Sequence, residues 1–187
     1  DAGTLTPNLS DFELDVFMTR LFGQFEAQAK AKGLSFSIET TGYRVRCDET
    51  LLSQLLSNFL GNAIRYTDTG EVRFIARPFG GRINIEVIDT GIGIPSNKVS
   101  SIFDEFYQIG NPHRDRRMGL GLGLAIAKRT ADLLALPLTV TSEEGRGSTF
   151  TISIVPLKDQ KQPIKQKSEY ISKDKNELSL KTILLID

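Results

Sequence analysis

Residues 51–66 read LLSQLLSNFLGNAIRY. Leu51, Leu52, Leu55, Leu56, Phe59, Leu60, Ala63 and Ile64 fall in pairs four apart, which lays one broad buried face along an α-helix. Asp48 stands just ahead of the run as an N-cap. Gln54, Asn58, Asn62 and Arg65 follow along the other side at steps of four, four and three, so three carboxamides and a guanidinium share one face. Asn suits caps and turns better than helix interiors, and two of them one turn apart need a cause. One cause is a solvated face, or side chains tied to a neighbouring loop. The other is a neutral ladder of oxygen and nitrogen able to hold a hydrated Mg²⁺ and phosphate oxygens.

The whole chain bounds these alternatives. Its 187 residues suit one ordinary domain with an appendage. Lys and Arg total 23, matching 23 Asp and Glu, so no global field marks a nucleic-acid surface. Cys47 is the only cysteine and reads as a small buried residue; a single histidine makes a structural zinc site improbable. No apolar run has the length of a membrane span, and the segment reads as soluble and cytoplasmic, without membrane contact.

Before the central run, residues 1–10 are turn-rich and read as the end of a linker. Ser10 and Glu13 form a capping-box pattern opening a helix that carries Leu14, Phe17, Met18, Leu21, Phe22 and Phe25 and stops at Gly33. Alternating runs around Leu34, Phe36 and Ile38, and around Tyr43, Val45 and Cys47, predict strands. Beyond the central helix come a strand over 71–77, a Gly80-Gly81 hairpin and a strand over 82–89. Ile83, Ile85, Val87 and Asp89 share parity, so Asp89 is expected to point inward. A buried carboxylate is costly without a donor to accept from. Gly91 and Gly93 follow at once and leave room for a flat group; a heterocycle with an amino group, such as adenine, would answer both features.

Ser96 is expected to cap a short helix bearing Ile102, Phe103, Phe106 and Tyr107, followed by an aperiodic, charged loop. Gly119, Gly121 and Gly123 then alternate with leucines and open a helix over 124–134, whose exposed N–H groups and dipole form a phosphate seat. Strands over 138–141 and 148–155 close the domain. Residues 157–181 have linker composition, and 182–187 (TILLID) have a buried-strand pattern. Rival phosphate motifs fail on context: Gly119 to Gly123 follow a charged loop rather than a strand, and no glycine loop ends in Gly-Lys-Ser/Thr.

Asn58 with Asn62, the run Asp89-Thr90-Gly91-Ile92-Gly93, Phe103 with Phe106, Gly119 to Gly123, and Gly147-Ser148 resemble, in order and spacing, the five boxes of histidine-kinase catalytic domains. These domains belong to the gyrase, heat-shock 90, histidine kinase and MutL ATPase superfamily. The resemblance spans about residues 11–156 and implies an α/β fold: an α+β two-layer sandwich, with three helices on one face of a mixed, mostly antiparallel sheet. ATP would lie between the helices and a lid over 108–120. By that resemblance Asn58 and Asn62 bind Mg²⁺ and phosphates, Arg65 a phosphate, and Tyr66 the sugar or base. Asp89 takes the adenine amino group above Gly91 and Gly93, and Ser148 sits beside it. Gly119 belongs to the same phosphate loop as Gly121, Leu122 and Gly123, whose amides hold phosphates, while Phe103 and Phe106 anchor the lid hinge.

Two departures refine this. Leu120 replaces the small residue of many relatives. Asn58 occupies the position where the superfamily's hydrolases place a water-activating Glu, and an amide cannot act as a base. The resemblance therefore implies phosphoryl transfer to a histidine on a separate dimerisation domain. His113, alone in the lid, reads as a solvent-facing or lid-contact residue. Arg114, Arg116 and Arg117 read equally as phosphate or partner contacts and as a solvated loop. Residues 183–187 resemble the first strand of a receiver domain, the second expected partner. Two rivals stand beside this reading. In one, Ile88-Asp89-Thr90-Gly91 is the half-site of a dimeric aspartic protease, which leaves the Asn stripe unexplained. In the other, the domain senses nucleotide without transferring phosphate.

Overall fold

The computed structural model describes residues 6–107, 121–157 and 166–170. Its elements are β1 (Ser10–Glu13), α1 (Leu14–Ala31), β2 (Ser35–Thr40), β3 (Arg44–Cys47), α2 (Glu49–Tyr66), β4 (Glu71–Phe79), β5 (Arg82–Asp89), α3 (Gly123–Leu133), β6 (Leu138–Glu143), β7 (Gly147–Ile154) and β8 (Gln166–Tyr170). Six strands form one sheet in the order β6-β7-β5-β4-β2-β8, with β2 and β4 parallel and the other pairs antiparallel. α1 packs on β2, α2 lies over β4 and β5, and α3 lies beside α2. This is the two-layer α+β sandwich with a mixed sheet that the sequence implied.

The core sits where the α2 pattern places it. Leu52, Leu55, Leu56, Phe59, Leu60, Ala63 and Ile64 are all buried, while Leu51 at the edge of the stripe is half-buried. Each large side chain so enclosed contributes roughly 1.5–3 kcal/mol of transfer free energy. Phe59 stacks on Phe150 of β7 at 4.9 Å, which pins the helix across the middle of the sheet. Phe22 of α1 stacks on Phe36 of β2 at 4.2 Å and fixes the other end of the layer. Asp48 caps α2 as expected, accepting the Leu51 N–H at 3.0 Å.

Two local expectations fail, each for a visible reason. Ser10 and Glu13 do not form a capping box: residues 10–13 are β1, paired antiparallel with β3, and Glu13 makes no side-chain cap bond. The register sets Asp11 opposite Arg46 and Glu13 opposite Arg44, and the latter pair forms an ion pair at 3.1 Å. The whole strand pairing, with Phe12 opposite Val45 and the charges beside it, takes these four residues out of the geometry a capping box needs. The Leu14 N–H donates to Tyr43 O at 2.8 Å, so the helix start is served by a neighbouring chain segment. Ser96 likewise caps no helix bearing Ile102 to Tyr107. Two single 3₁₀ turns, Ser96–Lys98 and Ser101–Phe103, stand there, and Pro95 occupies the position before the first. Phe106 has φ 62°, outside any right-handed helix.

β8 falls inside the stretch with linker composition, and its backbone pairs with the β2 edge, Phe36 opposite Tyr170. Pro156 bridges to Val45, and the Leu157 N–H donates to Arg44 O at 2.9 Å, fastening the end of β7 beside β3. The expected lid over 108–120, with Gly119, His113, Arg114, Arg116, Arg117 and Leu120, lies outside the described residues, as does the receiver-like run 182–187.

Candidate functional site

The site grows from the parity of β5. Ile83, Ile85, Val87 and Asp89 are buried and the residues between them half-buried, so the carboxylate of Asp89 does point inward. It is 7% exposed. Its Oδ1 accepts the Gly91 N–H at 2.9 Å, and Ser148, directly opposite on β7, donates its backbone N–H. Burial still dominates and pushes the Asp89 carboxyl above the usual range, with the two backbone donors opposing it.

Asp89 and Ser148 close one end of a cavity of about 100 Å³ whose other walls include Asn62, Ala63, Tyr66 and Gly93. Ile92, Ile94, Ile102, Tyr107, Leu124 and Phe150 make the rest of it apolar. A slot of this kind, apolar walls with one acceptor at its end, suits a flat heterocycle bearing an N–H. A second cavity of about 610 Å³ shares Asn62, Tyr66, Ile102, Tyr107 and Leu124 with the first and continues along α2 past Asn58 and Arg65. Gly121, Leu122 and Gly123, at the start of α3, form its far side. The helix start and the Asn stripe thus face the same space, which is what a phosphate-bearing ligand requires.

The carboxamide stripe is only partly tied up by the protein. Asn58 donates Nδ2 to Gln54 O at 3.0 Å, one turn back, which fixes the amide and leaves Oδ1 turned towards α3. A Cβ placed on Gly123 would lie 2.7 Å from that oxygen, so the glycine makes room for Asn58. Among the described residues no group of three or more His, Cys, Asp and Glu could hold a metal ion. A hard cation here would be met by amide oxygens, water and ligand phosphates, the environment Mg²⁺ accepts.

Gly91 is expected beneath the ring, and its backbone also makes a close approach within the protein. It is not among the cavity walls. A Cβ there would lie 2.3 Å from Tyr66 O, and the same oxygen accepts the Ile92 N–H at 3.1 Å. The missing side chain lets the Asp89 loop dock on the end of α2. Of the hinge phenylalanines, Phe103 packs partly buried against the core, while Phe106 is 62% exposed and donates its N–H to Gly121 O at 3.1 Å.

Ser142, on β6, escaped the sequence reading. Its Oγ accepts the Ile94 N–H at 2.8 Å, contacts Gly147 O at 2.8 Å and lies 2.9 Å from Ser148 Oγ. The turn over 144–147 was legible, and closing it sets Ser142 opposite Ser148. That register was the available signal.

Known proteins resemble this chain in sequence and fold. The family of histidine kinase-, DNA gyrase B-, and HSP90-like ATPases matches residues 47–159. The aerobic respiration control sensor protein ArcB of Escherichia coli strain K12 is 39% identical over 143 residues, 74% of this chain and 18% of that protein. Sensor histidine kinase RcsC of the same strain is 41% identical over 125 residues, 67% of this chain and 13% of that protein. This chain therefore spans less than a fifth of either relative. Among solved structures, full-length ShkA in complex with AMPPNP has a TM-score of 0.71 at 27% identity, covering 83% of this chain and 32% of that one. The nucleotide-free catalytic domain of histidine kinase ThkA has a TM-score of 0.67 at 23% identity, covering 79% and 95%, a likeness of fold. With the family match extending over more than half of its residues, this chain belongs to the histidine kinase-, DNA gyrase B- and HSP90-like ATPases.

Proposed function

We propose that this chain is the ATP-binding catalytic domain of a sensor histidine kinase. It would bind Mg-ATP and pass the γ-phosphoryl group to a histidine on a separate dimerisation domain, from which a receiver domain would take it in two-component signalling. One observation carries the reading: a buried carboxylate and an Asn-bearing helix line two adjoining cavities that share Asn62 and Tyr66. Asp89 would accept from the adenine amino group. Asn58 and Asn62 would hold the ion and phosphate oxygens with the N–H groups of 121–123, and Arg65 would meet a phosphate. Mg²⁺ supplies charge neutralisation along the triphosphate.

Phosphoryl transfer needs alignment and charge neutralisation more than a protein nucleophile. The incoming imidazole nitrogen forms the new N–P bond as the bond from Pγ to the bridging oxygen breaks. ADP leaves, and the imidazole proton passes to a base on the acceptor domain. Asn58, an amide, cannot deprotonate water, which disfavours hydrolysis as the competing outcome.

The test mixes this chain with the histidine-bearing domain of its own parent and γ-labelled ATP. Acid-labile label on the histidine supports the reading, whereas tight nucleotide binding without transfer would make the domain a sensor. Asn62→Ala should weaken Mg-ATP binding roughly ten- to hundredfold, the scale of a lost charge-assisted contact. The loss should shrink when EDTA replaces Mg²⁺.

A further inference from the structure

The hydroxyl protons at the Asp89 end of the slot are fixed by the protein, and that has a chemical consequence. A serine hydroxyl carries one proton and accepts through its remaining lone pairs. Ser142 Oγ has three neighbours: the Ile94 N–H, which can only donate to it; Gly147 C=O, which can only accept from it; and Ser148 Oγ. The Gly147 carbonyl takes the one Ser142 proton, so the 2.9 Å contact between the two hydroxyls must use the proton of Ser148. Ser148 is 7% exposed, lines the slot and lies opposite Asp89 in the β5–β7 register. With its proton committed, its oxygen has only lone pairs left to offer. The backbone N–H groups of Gly91 and of Ser148 itself already serve the Asp89 carboxylate.

We infer that Ser142 is the specificity-determining residue of this site: it locks the Ser148 hydroxyl as an acceptor, so the Asp89 end of the slot selects a 6-amino purine and rejects a 6-oxo purine. The inference rests on the nucleotide reading above and deepens it. A 6-amino group brings two N–H donors to an end that holds a carboxylate and a hydroxyl lone pair. A 6-oxo group brings an acceptor to the same place, and the proton on its neighbouring N1 does not lie between that oxygen and the Ser148 lone pair. Two buried oxygens then face one another, and sites with fixed hydrogen-bonding character reject such mismatches strongly. Ser142 touches no ligand in this account. It acts through Ser148 and is a positioning residue.

The experiment compares the Kd of Mg-ATP with that of Mg-ITP, whose base has a 6-oxo group and a protonated N1, on the intact chain. The wild type should favour ATP roughly a hundredfold. Ser142→Ala frees the Ser148 hydroxyl to turn and donate, so the preference should narrow to about tenfold or less, chiefly by tighter ITP binding. Ser142→Thr, which keeps the hydroxyl, should restore the wild-type preference. Equal weakening of both nucleotides in Ser142→Ala, with the ratio intact, would mean a merely structural serine and would overturn the inference. If Ser142→Ala does not fold, Ser148→Ala removes the repelling lone pairs and must narrow the ratio by the same route; an unchanged ratio there also overturns it. Wild-type chain that binds neither nucleotide would refute the nucleotide reading itself, a separate result.

Discussion

Asp48 and Asp89 are both little exposed, and they sit at the two ends of the same functional helix, yet the balance between burial and backbone donors moves their carboxyls in opposite directions. Asp48 stands at the N-terminus of α2, where its Oδ1 accepts from Leu51 N–H and its Oδ2 from Asn8 N–H at 2.7 Å. Those backbone donors, Leu51 first, hold its carboxyl below the usual range. Asp89 closes the slot beside the last turns of α2 with two backbone donors, and there burial prevails and pushes the carboxyl up. The difference separates two uses of one side chain. A carboxylate that the chain satisfies is a structural clasp, whereas one left short of donors beside a cavity is poised for a ligand that brings them.

The sharpest way to break the comparison is Asp89→Asn. Nucleotide affinity should fall about a hundredfold or more, because the amide presents an N–H where the base needs an acceptor. Stability should move the other way. A carboxyl raised on folding binds its proton more tightly in the folded chain than in the unfolded one. Its contribution is therefore complete below the ordinary carboxylate pKa and is lost as pH rises through the folded value. Near neutral pH the ionised Asp89 is a net cost to the ligand-free domain, so Asp89→Asn should melt at the wild-type temperature or above it. Nucleotide binding by the wild type should weaken as pH falls through that same raised value. Thermal melts and fluorescent-ATP titrations at pH 5 and pH 8 check both halves; a strongly destabilised Asp89→Asn would make Asp89 a clasp after all.

How far the sequence announced these features depends on the range over which each is determined. The α2 stripe and the β5 parity are local periodicities backed by many buried side chains, and both were legible, with only Leu51 at the edge of the stripe half-buried. The slot was legible only at its ends, through Asp89 and the Asn stripe. Its apolar walls come from Ile94, Ile102, Leu124 and Phe150, residues on separate segments that only the tertiary fold assembles. Ser10–Glu13 misled because a capping box is a four-residue signal, while the competing strand pairing depends on Arg44 and Arg46, more than thirty positions away. Ser142 was only half legible for a related reason: the turn after it sets it opposite Ser148, but its bond to the Ile94 N–H, 48 positions away, has no sequence signal.

The clasp itself is tested by Asp48→Ala. Losing an N-cap costs about 1 kcal/mol, at most ~2, so the urea midpoint should drop while the folded protein keeps its ATP affinity within about twofold. The pH dependence has the opposite sense to that of Asp89. A depressed carboxyl contributes stability above the ordinary carboxylate pKa of 3.8, and the contribution disappears as pH falls through the lower folded value. Wild type and Asp48→Ala should therefore differ at neutral pH and converge in acid. Persistence of the difference well below that range would place the effect in packing and not in the charge.

The smallest effect is expected at Lys32, and it shows whether the far end of α2 follows the logic of its start. No glycine closes this helix; Thr67 at its C-cap is extended. The free carbonyls are met instead from α1's end, where Lys32 Nζ donates to Ile64 O at 3.0 Å and Arg65 O at 2.7 Å and pairs with Asp68 at 3.2 Å. An ammonium against the negative end of a helix is worth about 0.3–1 kcal/mol, and Lys32→Met should lower stability by that order. A purely structural clasp would stop there. The next residue, however, is Tyr66, whose carbonyl holds Ile92 N–H and whose side chain lines the slot. Loosening the last turn should therefore raise the Kd for ATP roughly two- to threefold, within the energy available from the lost contact. Lys32→Arg should keep both properties. An unchanged Kd alongside reduced stability would confine Lys32 to the clasp side of the comparison, with Asp48.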